Sequence, residues 1–393
     1  MANIMFFNIP AHGHTNPTVE VVRALTKRGH RVRYYSFPEF QKKLEEAGAE
    51  FISCEWAMPP APQDLEKRVG KDFALLVEMV VDVTEKLHPV IKQEIAQFQP
   101  DCIVSDSICI WGKLFAKRFD IPLVCSTTTL AFNEHTAKYM KQSLLDVLRM
   151  LLGMPRVMKK LAGLERLGYE TKRSIALFSN DNDTDTIVYT SRLFQPMAET
   201  FSSRFAFVGP SVVAAKRLEG CNRPRVYVSL GTVLHKNRQF YRMCMDALRG
   251  LGCNVVMSVG QDVPIESLGE IPDGFEIKAR VNQMEVLAGS DVFITHCGMN
   301  SAMESLYSGV PMVLCPQHAE ERAVADRVAE LGAGIRVQKE TAKAIRRAVS
   351  ALLADDSYRK KAEYVGNDMK ECGGEKAAAA WIENVCNRKI KKV

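Results

Sequence analysis

The feature that most constrains the fold of this 393-residue chain is an alternation of short apolar runs with stretches of helical period. In the first half, the apolar runs predict strands at residues 4–9, 31–35, 51–53, 101–105 and 122–127. The periodic stretches predict helices at residues 17–28, 40–47, 77–98 and 111–119. Such alternation predicts parallel strands that are joined by crossover helices.

A second alternating series occupies the C-terminal half. It predicts strands at residues 225–229, 254–259, 275–278, 292–295 and 311–315, with later helices at 320–331, 341–353 and 377–387. Between the two series, residues 133–165 are rich in Leu and Met and are predicted to be helical. We therefore expect an α/β protein with two doubly wound parallel-sheet domains. Its expected parts are a first domain (1–212), a linker (213–224), a second domain (225–375) and a C-terminal helix (376–393) that could pack back on the first domain.

Composition excludes several classes of protein. With 47% hydrophobic and 25% charged residues, the chain is neither disordered nor collagen-like. No apolar run reaches about 18 residues and no basic leader opens the chain, so we expect a cytoplasmic protein without stable membrane insertion. Its 11 cysteines form no C-x-x-C pair, which favours reduced thiols over disulfides or a zinc site. The net charge of +6 is dispersed, so no nucleic-acid partner is predicted.

Polar residues collect where predicted strands end, which is where open parallel sheets bind ligands. After the strand at 292–295, the segment from His296 through Gly298, Asn300 and Ser301 leads into a helix. A helix N-terminus with a close backbone approach favours phosphate binding, and Glu304, one turn further, suits ribose hydroxyls. The alternative is that Ser301 and Glu304 form a capping box that needs no ligand.

Two other strand ends suggest acid–base chemistry. In the segment 10–17, Asn16 is expected to cap a helix that begins at Pro17, and His14 could act as a general base or could be only a turn residue. Asp106 could orient a nearby imidazole, or it could cap a helix that begins near Ile108. The other histidines show no metal-ligand spacing, and neither a P-loop nor a G-x-G-x-x-G motif is present. We predict no metal site.

These residues resemble a known family. Gly13 to Pro17 is similar to the catalytic loop of the UDP-glycosyltransferases of the GT-B fold, especially the bacterial macrolide-glycosyltransferase-like branch. Their nucleotide-sugar signature is similar to residues 280–283, 293–301, 304, 309–313 and 316–317. The resemblance implies two Rossmann-like domains that face a central cleft. It also implies a UDP-sugar as co-substrate, without a further cofactor.

The resemblance also implies roles for individual residues. His14 would be the general base and Asp106 its orienting partner. His296, Asn300 and Ser301 would contact the diphosphate beside Gly298, and Thr232 would lie near the phosphates. Glu304 would contact the ribose, and Gln283, with its neighbours Arg280 and Val281, would border the uracil. Glu320 would face the sugar hydroxyls, next to Glu321.

Three positions depart from the family pattern. Arg280 stands where a Trp commonly stacks on the uracil, although a guanidinium can also stack. Asn282 replaces a common Pro. Glu321 replaces a Gln that is associated with the choice of sugar.

The expected function is an inverting transfer of a hexose, with UDP-glucose the expected donor, to a hydroxyl of a small, partly apolar acceptor such as a natural product. One alternative is a lipid or cell-wall glycosyltransferase of the same fold. Others are a nucleotide-sugar epimerase or hydrolase, and a protein that binds the nucleotide sugar without turnover.

Overall fold

The structure is a computed structural model that describes residues 1–59, 73–136, 144–170, 182–216, 222–231 and 237–390. Within this range the chain forms two compact units. Unit 1 comprises the described residues of Met1–Tyr189, Met197–Ser211 and Glu375–Val393. Unit 2 comprises those of Thr190–Pro196 and Val212–Gly374.

Unit 1 contains a seven-stranded parallel sheet in the order β3-β2-β1-β4-β5-β6-β7. Its strands are β1 (Asn3–Phe7), β2 (Arg31–Ser36), β3 (Glu50–Ser53), β4 (Cys102–Asp106), β5 (Leu123–Thr127), β6 (Asp185–Val188) and β7 (Phe205–Phe207). The helices of this unit are α1 (His12–Lys27), α2 (Gln41–Glu46), α3 (Phe73–Phe98), α4 (Ile110–Arg118) and α5 (Leu144–Arg166). Short 3₁₀ turns lie at Pro38–Phe40, Glu55–Ala57 and Ala198–Thr200.

Unit 2 contains a six-stranded parallel sheet in the order β10-β9-β8-β11-β12-β13. Its strands are β8 (Arg225–Ser229), β9 (Asn254–Ser258), β10 (Phe275–Lys278), β11 (Val292–Thr295), β12 (Met312–Leu314) and β13 (Gly334–Arg336). Its helices are α6 (Arg238–Leu248), α7 (Gln283–Ala288), α8 (Met299–Tyr307), α9 (Ala319–Glu330), α10 (Ala342–Ala354) and α11 (Ser357–Glu371). One 3₁₀ turn lies at Ile265–Leu268. The expected two parallel-sheet, Rossmann-like domains are thereby confirmed.

The central strands are apolar because helices cover both of their faces. In β1, Ile4 to Phe7 are buried, and Phe6 and Phe7 stack on Tyr34 and Tyr35 of β2 with ring centroids 5.3 and 4.6 Å apart. These stacked pairs lie directly across the β1–β2 register, Phe6 beside Tyr34 and Phe7 beside Tyr35. The register of the sheet centre is therefore fixed by large aromatic side chains.

A final helix, α12 (Gly374–Ile390), packs on unit 1. Glu383 accepts hydrogen bonds from Arg28 and from Nε2 of His30, each at 2.8 Å. Near the other end of the helix, Arg388 pairs with Asp185 of β6 at 2.9 Å. None of the helices in the described part of the chain combines the length and the apolarity needed to cross a membrane.

Two helix predictions were wrong in detail. Helix α1 begins at His12 with Ala11 as its N-cap, so Pro17 lies inside the helix and Asn16 is no cap. The helical hydrogen bonds start earlier than predicted, since the backbone N–H of Thr15 already donates to the carbonyl of Ala11 at 3.0 Å. The Asn8 carboxamide also donates to the carbonyl of His14 at 3.0 Å. In the segment 133–165, residues 133–136 lie outside the helix, α5 starts at Leu144, and 137–143 lie outside the described residues.

Helix α8 rests closely on α11 at Gly366. A Cβ at this position would collide with the backbone carbonyl oxygen of Leu306, in the last turn of α8. Backbone atoms cannot rotate away as a side chain does, so only glycine permits this contact.

We expect Gly366→Ala to lower the free energy of unfolding by about 1–3 kcal/mol, because the new methyl group must push two helices apart. The control is Gly163→Ala in α5, where the new Cβ meets only the mobile carboxylate of Glu85. That change should alter stability by no more than about 1 kcal/mol, in the stabilising direction. Urea unfolding followed by circular dichroism measures both, and equal effects would contradict the argument.

Candidate active site

The carboxyl ends of three neighbouring strands of unit 1 bring a histidine, an aspartate and a threonine together. His14 follows β1, Asp106 ends β4, and Thr128 follows β5, and β4 lies between β1 and β5 in the sheet. Nδ1 of His14 lies 2.8 Å from Oδ2 of Asp106 and 3.0 Å from Oγ1 of Thr128. The structure thus joins His14 and Asp106, as the sequence analysis expected, and adds Thr128.

Both oxygens of the Asp106 carboxylate have partners. Oδ2 faces the imidazole, while Oδ1 accepts the backbone N–H of Ile108 at 2.9 Å. Helix α4 begins at Ile110 with Cys109 as its N-cap, so Asp106 does not cap that helix. With its side chain 1% exposed, the carboxylate is held in one position and accepts from Nδ1. The tautomer with its proton on Nδ1 carries a lone pair on Nε2, which is the form that can accept a proton.

A second group of predicted site residues surrounds the start of α8 in unit 2. Gly298 is the N-cap, and Cys297 before it adopts a left-handed φ of +69°. The His296 ring lies so close to the glycines that a Cβ on Gly231 or Gly298 would approach it to 2.6 or 2.5 Å. Glycine is therefore required where the turn after β11 and the end of β8 enclose the imidazole.

His296 is buried, and its Nδ1 has no hydrogen-bond partner among the described residues. Burial lowers the pKa of this imidazole, and the nearby Glu321 carboxylate only partly opposes that shift. His296 is consequently neutral at neutral pH. A neutral imidazole beside a helix N-terminus can still donate one hydrogen bond to an anion.

Gln283, at the start of α7, links two residues of α8. Its amide nitrogen donates to Oγ of Ser301 at 3.1 Å and to Oε2 of Glu304 at 2.6 Å. Ser301 is the third residue of α8 and not its cap, so the capping-box alternative was wrong. Burial raises the pKa of Glu304, while the Gln283 hydrogen bond lowers it.

The sequence analysis missed Tyr227, whose hydroxyl donates to Oε1 of Gln283 at 3.0 Å. Tyr227 lies in the middle of the apolar strand β8, stacked on Phe293 with centroids 4.7 Å apart. The sequence of an apolar strand does not indicate which of its tyrosines makes a hydrogen bond to a site residue. Thr128, by contrast, follows a predicted strand, and the rule that drew attention to Asp106 would have found it.

The remaining predicted residues are more dispersed. Arg280 and Glu320 are exposed, whereas Val281 and Asn300 are half-buried. Oε2 of Glu321 accepts the backbone N–H groups of Gln317 and His318 at 2.7 and 3.0 Å, at the start of α9. Thr232 lies outside the described residues. Within the described ranges, no three His, Cys, Asp or Glu side chains cluster in a way that could hold a metal ion.

Known proteins are similar to this chain in sequence and in fold. Residues 242–374 match the family described as the erythromycin biosynthesis protein CIII-like C-terminal domain. The chain is 35% identical to NDP-glycosyltransferase YjiC of Bacillus subtilis (strain 168), over 97% of this chain and 96% of that protein. It is 31% identical to demethyllactenocin mycarosyltransferase of Streptomyces fradiae, over 98% and 87% of the two chains. The crystal structure of CalG4, the calicheamicin glycosyltransferase, aligns with a TM-score of 0.81 at 30% identity over 99% of both chains.

The two parallel-sheet units and these similarities define the class as a GT-B glycosyltransferase. The relatives match along nearly their whole length and share more than 30% identity. The chain belongs to the UDP-glycosyltransferase family, in its macrolide-glycosyltransferase-like branch.

The buried, neutral His296 makes the free energy of unfolding depend on pH. Its folded pKa is lowered, so below the ordinary value of about 6.5 the unfolded chain takes up the proton more readily. This contribution is present above pH 6.5 and is lost as the pH falls, by at most about 1.4 kcal/mol per pH unit. We expect the stability of wild-type protein to fall more steeply than that of His296→Asn between pH 7.5 and 5.5. Urea midpoints at three pH values measure this, and parallel slopes would contradict it.

Proposed function

We propose that this glycosyltransferase moves a hexosyl group from a UDP-sugar, with UDP-glucose the expected donor, to a hydroxyl of a small, partly apolar natural-product-like acceptor, with inversion at the anomeric carbon. The contact that carries the proposal is the pairing of His14 with the buried Asp106 at 2.8 Å. A protein that only binds a nucleotide sugar needs no such pair. The similarity to an NDP-glycosyltransferase and to a mycarosyltransferase supports a nucleotide-sugar donor and a natural-product acceptor.

On the acceptor side, Nε2 of His14 takes the proton of the acceptor hydroxyl as that oxygen attacks the anomeric carbon. Asp106 accepts from Nδ1 throughout, and its negative charge stabilises the imidazolium that forms. The C–O bond to the diphosphate breaks as the new C–O bond forms, and UDP leaves. One displacement from an α-linked donor gives a β-glycoside.

On the donor side, the start of α8 receives the diphosphate. Backbone N–H groups of the first helical turn and the side chains of His296 and Asn300 would be the donors, and the helix dipole favours the charge that develops on the leaving group. We expect Glu304 to contact the ribose and Ser301 the diphosphate, and the hydrogen bonds that Gln283 donates to both side chains support these roles. Arg280 is exposed, so its guanidinium is available to stack on the uracil face.

The donor is tested with a thermal-shift panel of UDP- and TDP-sugars, followed by mass spectrometry with mixed phenol and alcohol acceptors. We expect the UDP-sugars to raise the unfolding temperature most and UDP-glucose to give a hexosylated product, whose anomeric proton coupling in NMR reports the β configuration. A retained α configuration would contradict the displacement mechanism. Consumption of donor without acceptor would favour an epimerase or hydrolase, and activity only with lipid acceptors in detergent would favour a lipid or cell-wall enzyme.

The role of His14 has its own test. We expect His14→Ala to lose most turnover, because a general base of this kind contributes about 10²- to 10⁴-fold. Asp106→Asn should also lose turnover, since the amide can donate to Nδ1 and thereby favours the tautomer whose lone pair lies on the wrong nitrogen.

UDP affinity is the internal control in both variants. It should stay within about twofold of wild type because the proposed diphosphate contacts belong to unit 2, and isothermal titration calorimetry measures it. Full activity of His14→Ala with several acceptors would remove His14 from the role.

A further inference from the structure

We propose that Thr128 is a positioning residue for the base: its hydroxyl, with the Asp106 carboxylate, fixes the His14 ring in the orientation and tautomer that leave Nε2 ready to accept a proton. This inference rests on the proposed function of His14. The observation behind it is that one ring nitrogen has two oxygen partners from two different strands. Oγ1 of Thr128 lies 3.0 Å and Oδ2 of Asp106 2.8 Å from Nδ1.

The donor and acceptor roles at this nitrogen follow from chemistry. A carboxylate can only accept, so the hydrogen between Asp106 and the ring belongs to Nδ1. The Thr128 hydroxyl therefore meets an N–H group and accepts from it as a second, shared partner. Nδ1–H thus forms a three-centre hydrogen bond, and the hydroxyl hydrogen of Thr128 points elsewhere.

Two acceptors constrain the ring more than one does. The terminal torsion of a histidine is broad, so a ring held by a single hydrogen bond can swing about it. Acceptors from β4 and from the segment after β5 restrict that rotation, and a ring flip would put a C–H group against both oxygens. Thr128 is 3% exposed, so its hydroxyl is as firmly placed as the carboxylate.

The tyrosine and cysteine side chains near Asp106 do not change their protonation state near neutral pH. Tyr34, Tyr189 and Cys109 all interact with the charge of Asp106, and burial raises the pKa of each, so they stay protonated near neutral pH. On the helix of His14 itself, His12 lies 3.5 Å from Glu39. A shift of the His14 titration on changing Thr128 can therefore be separated from these tyrosines and this thiol.

The neighbouring residue Thr129 provides a matched control. Thr128 is the middle of three consecutive threonines, and Oγ1 of Thr129 donates to the carbonyl of Leu130 at 3.1 Å instead of to His14. Thr→Val is nearly isosteric and removes only the hydroxyl. The same substitution at 128 and at 129 thus isolates the contact to Nδ1.

The experiment combines pH–rate profiles with ¹⁵N NMR of histidine-labelled protein. We expect Thr128→Val to lower kcat about three- to tenfold, the range of one hydrogen bond, with the KM for the acceptor changed by less than about twofold. The acid limb of kcat/KM and the NMR midpoint of His14 should both move to lower pH, because the lost acceptor stabilised the imidazolium more than the neutral ring. Thr128→Ser should restore both, and Thr129→Val should resemble wild type.

Two results would overturn the inference: an unchanged kcat and His14 titration in Thr128→Val, or a lower kcat with an unchanged midpoint and tautomer, which indicates packing alone. Failure of the proposed function gives a different pattern. His14→Ala would then be fully active, whereas the NMR titration of the unliganded protein would still report whether Thr128 controls the ring.

Discussion

The parallel pairing of β1 with β4 is the constraint on which the candidate base depends. In a parallel sheet every strand delivers its following residues to the same edge, so residues 92 positions apart along the chain meet there as His14 and Asp106. The register Ile4 to Cys102 and Phe7 to Ser105 brings Asp106 just beyond the last paired residue of β1. A shift of one residue would turn Asp106 to the other face of the sheet. The stacked aromatic pairs hold β1 in register with β2, on the side of β1 away from β4.

In unit 2, the carboxyl ends of the parallel strands carry a different kind of candidate site. There the end of β11 presents a helix N-terminus, and the close packing of Gly231 and Gly298 on the His296 ring keeps that imidazole buried and neutral. The contact of Gly366 with Leu306 fixes α8 from its other end. The proposed diphosphate site consists largely of backbone N–H groups, so its geometry depends on the position of α8. The close contacts at Gly231, Gly298 and Gly366 thus help to position the backbone N–H donors at the start of α8.

Much of this arrangement could be predicted from the sequence because most of the strands lie in apolar runs and the turns that follow them are polar. Strands β8, β10 and β11 match their predicted limits. In β11 all four residues are buried, whereas the edge strand β10 alternates half-buried Phe275 and Ile277 with exposed Glu276 and Lys278. Strands β6 and β13 were missed because they hold only two apolar residues and one apolar residue, respectively. Strand β7 was missed because its three residues show no period, whereas the equally short β12 lies within the apolar run 311–315. The prediction from Asn16 and Pro17 was wrong because both residues fit a helix start by local preference, whereas the helical hydrogen bonds already begin at Ala11. Tyr227 could not be predicted because it lies within a strand and not at its end, so no rule directs its hydroxyl to Gln283.

Glu321 shows how the structure changes the meaning of a departure from a family pattern. An acid in place of the common Gln suggested an altered choice of sugar. In the structure its Oε2 accepts two backbone N–H groups at the start of α9, where a negative charge also favours the helix dipole. A carboxylate is the better acceptor there, because an amide offers one oxygen and no charge. These contacts give Glu321 a structural role at the start of α9, and its effect on the choice of sugar stays a prediction.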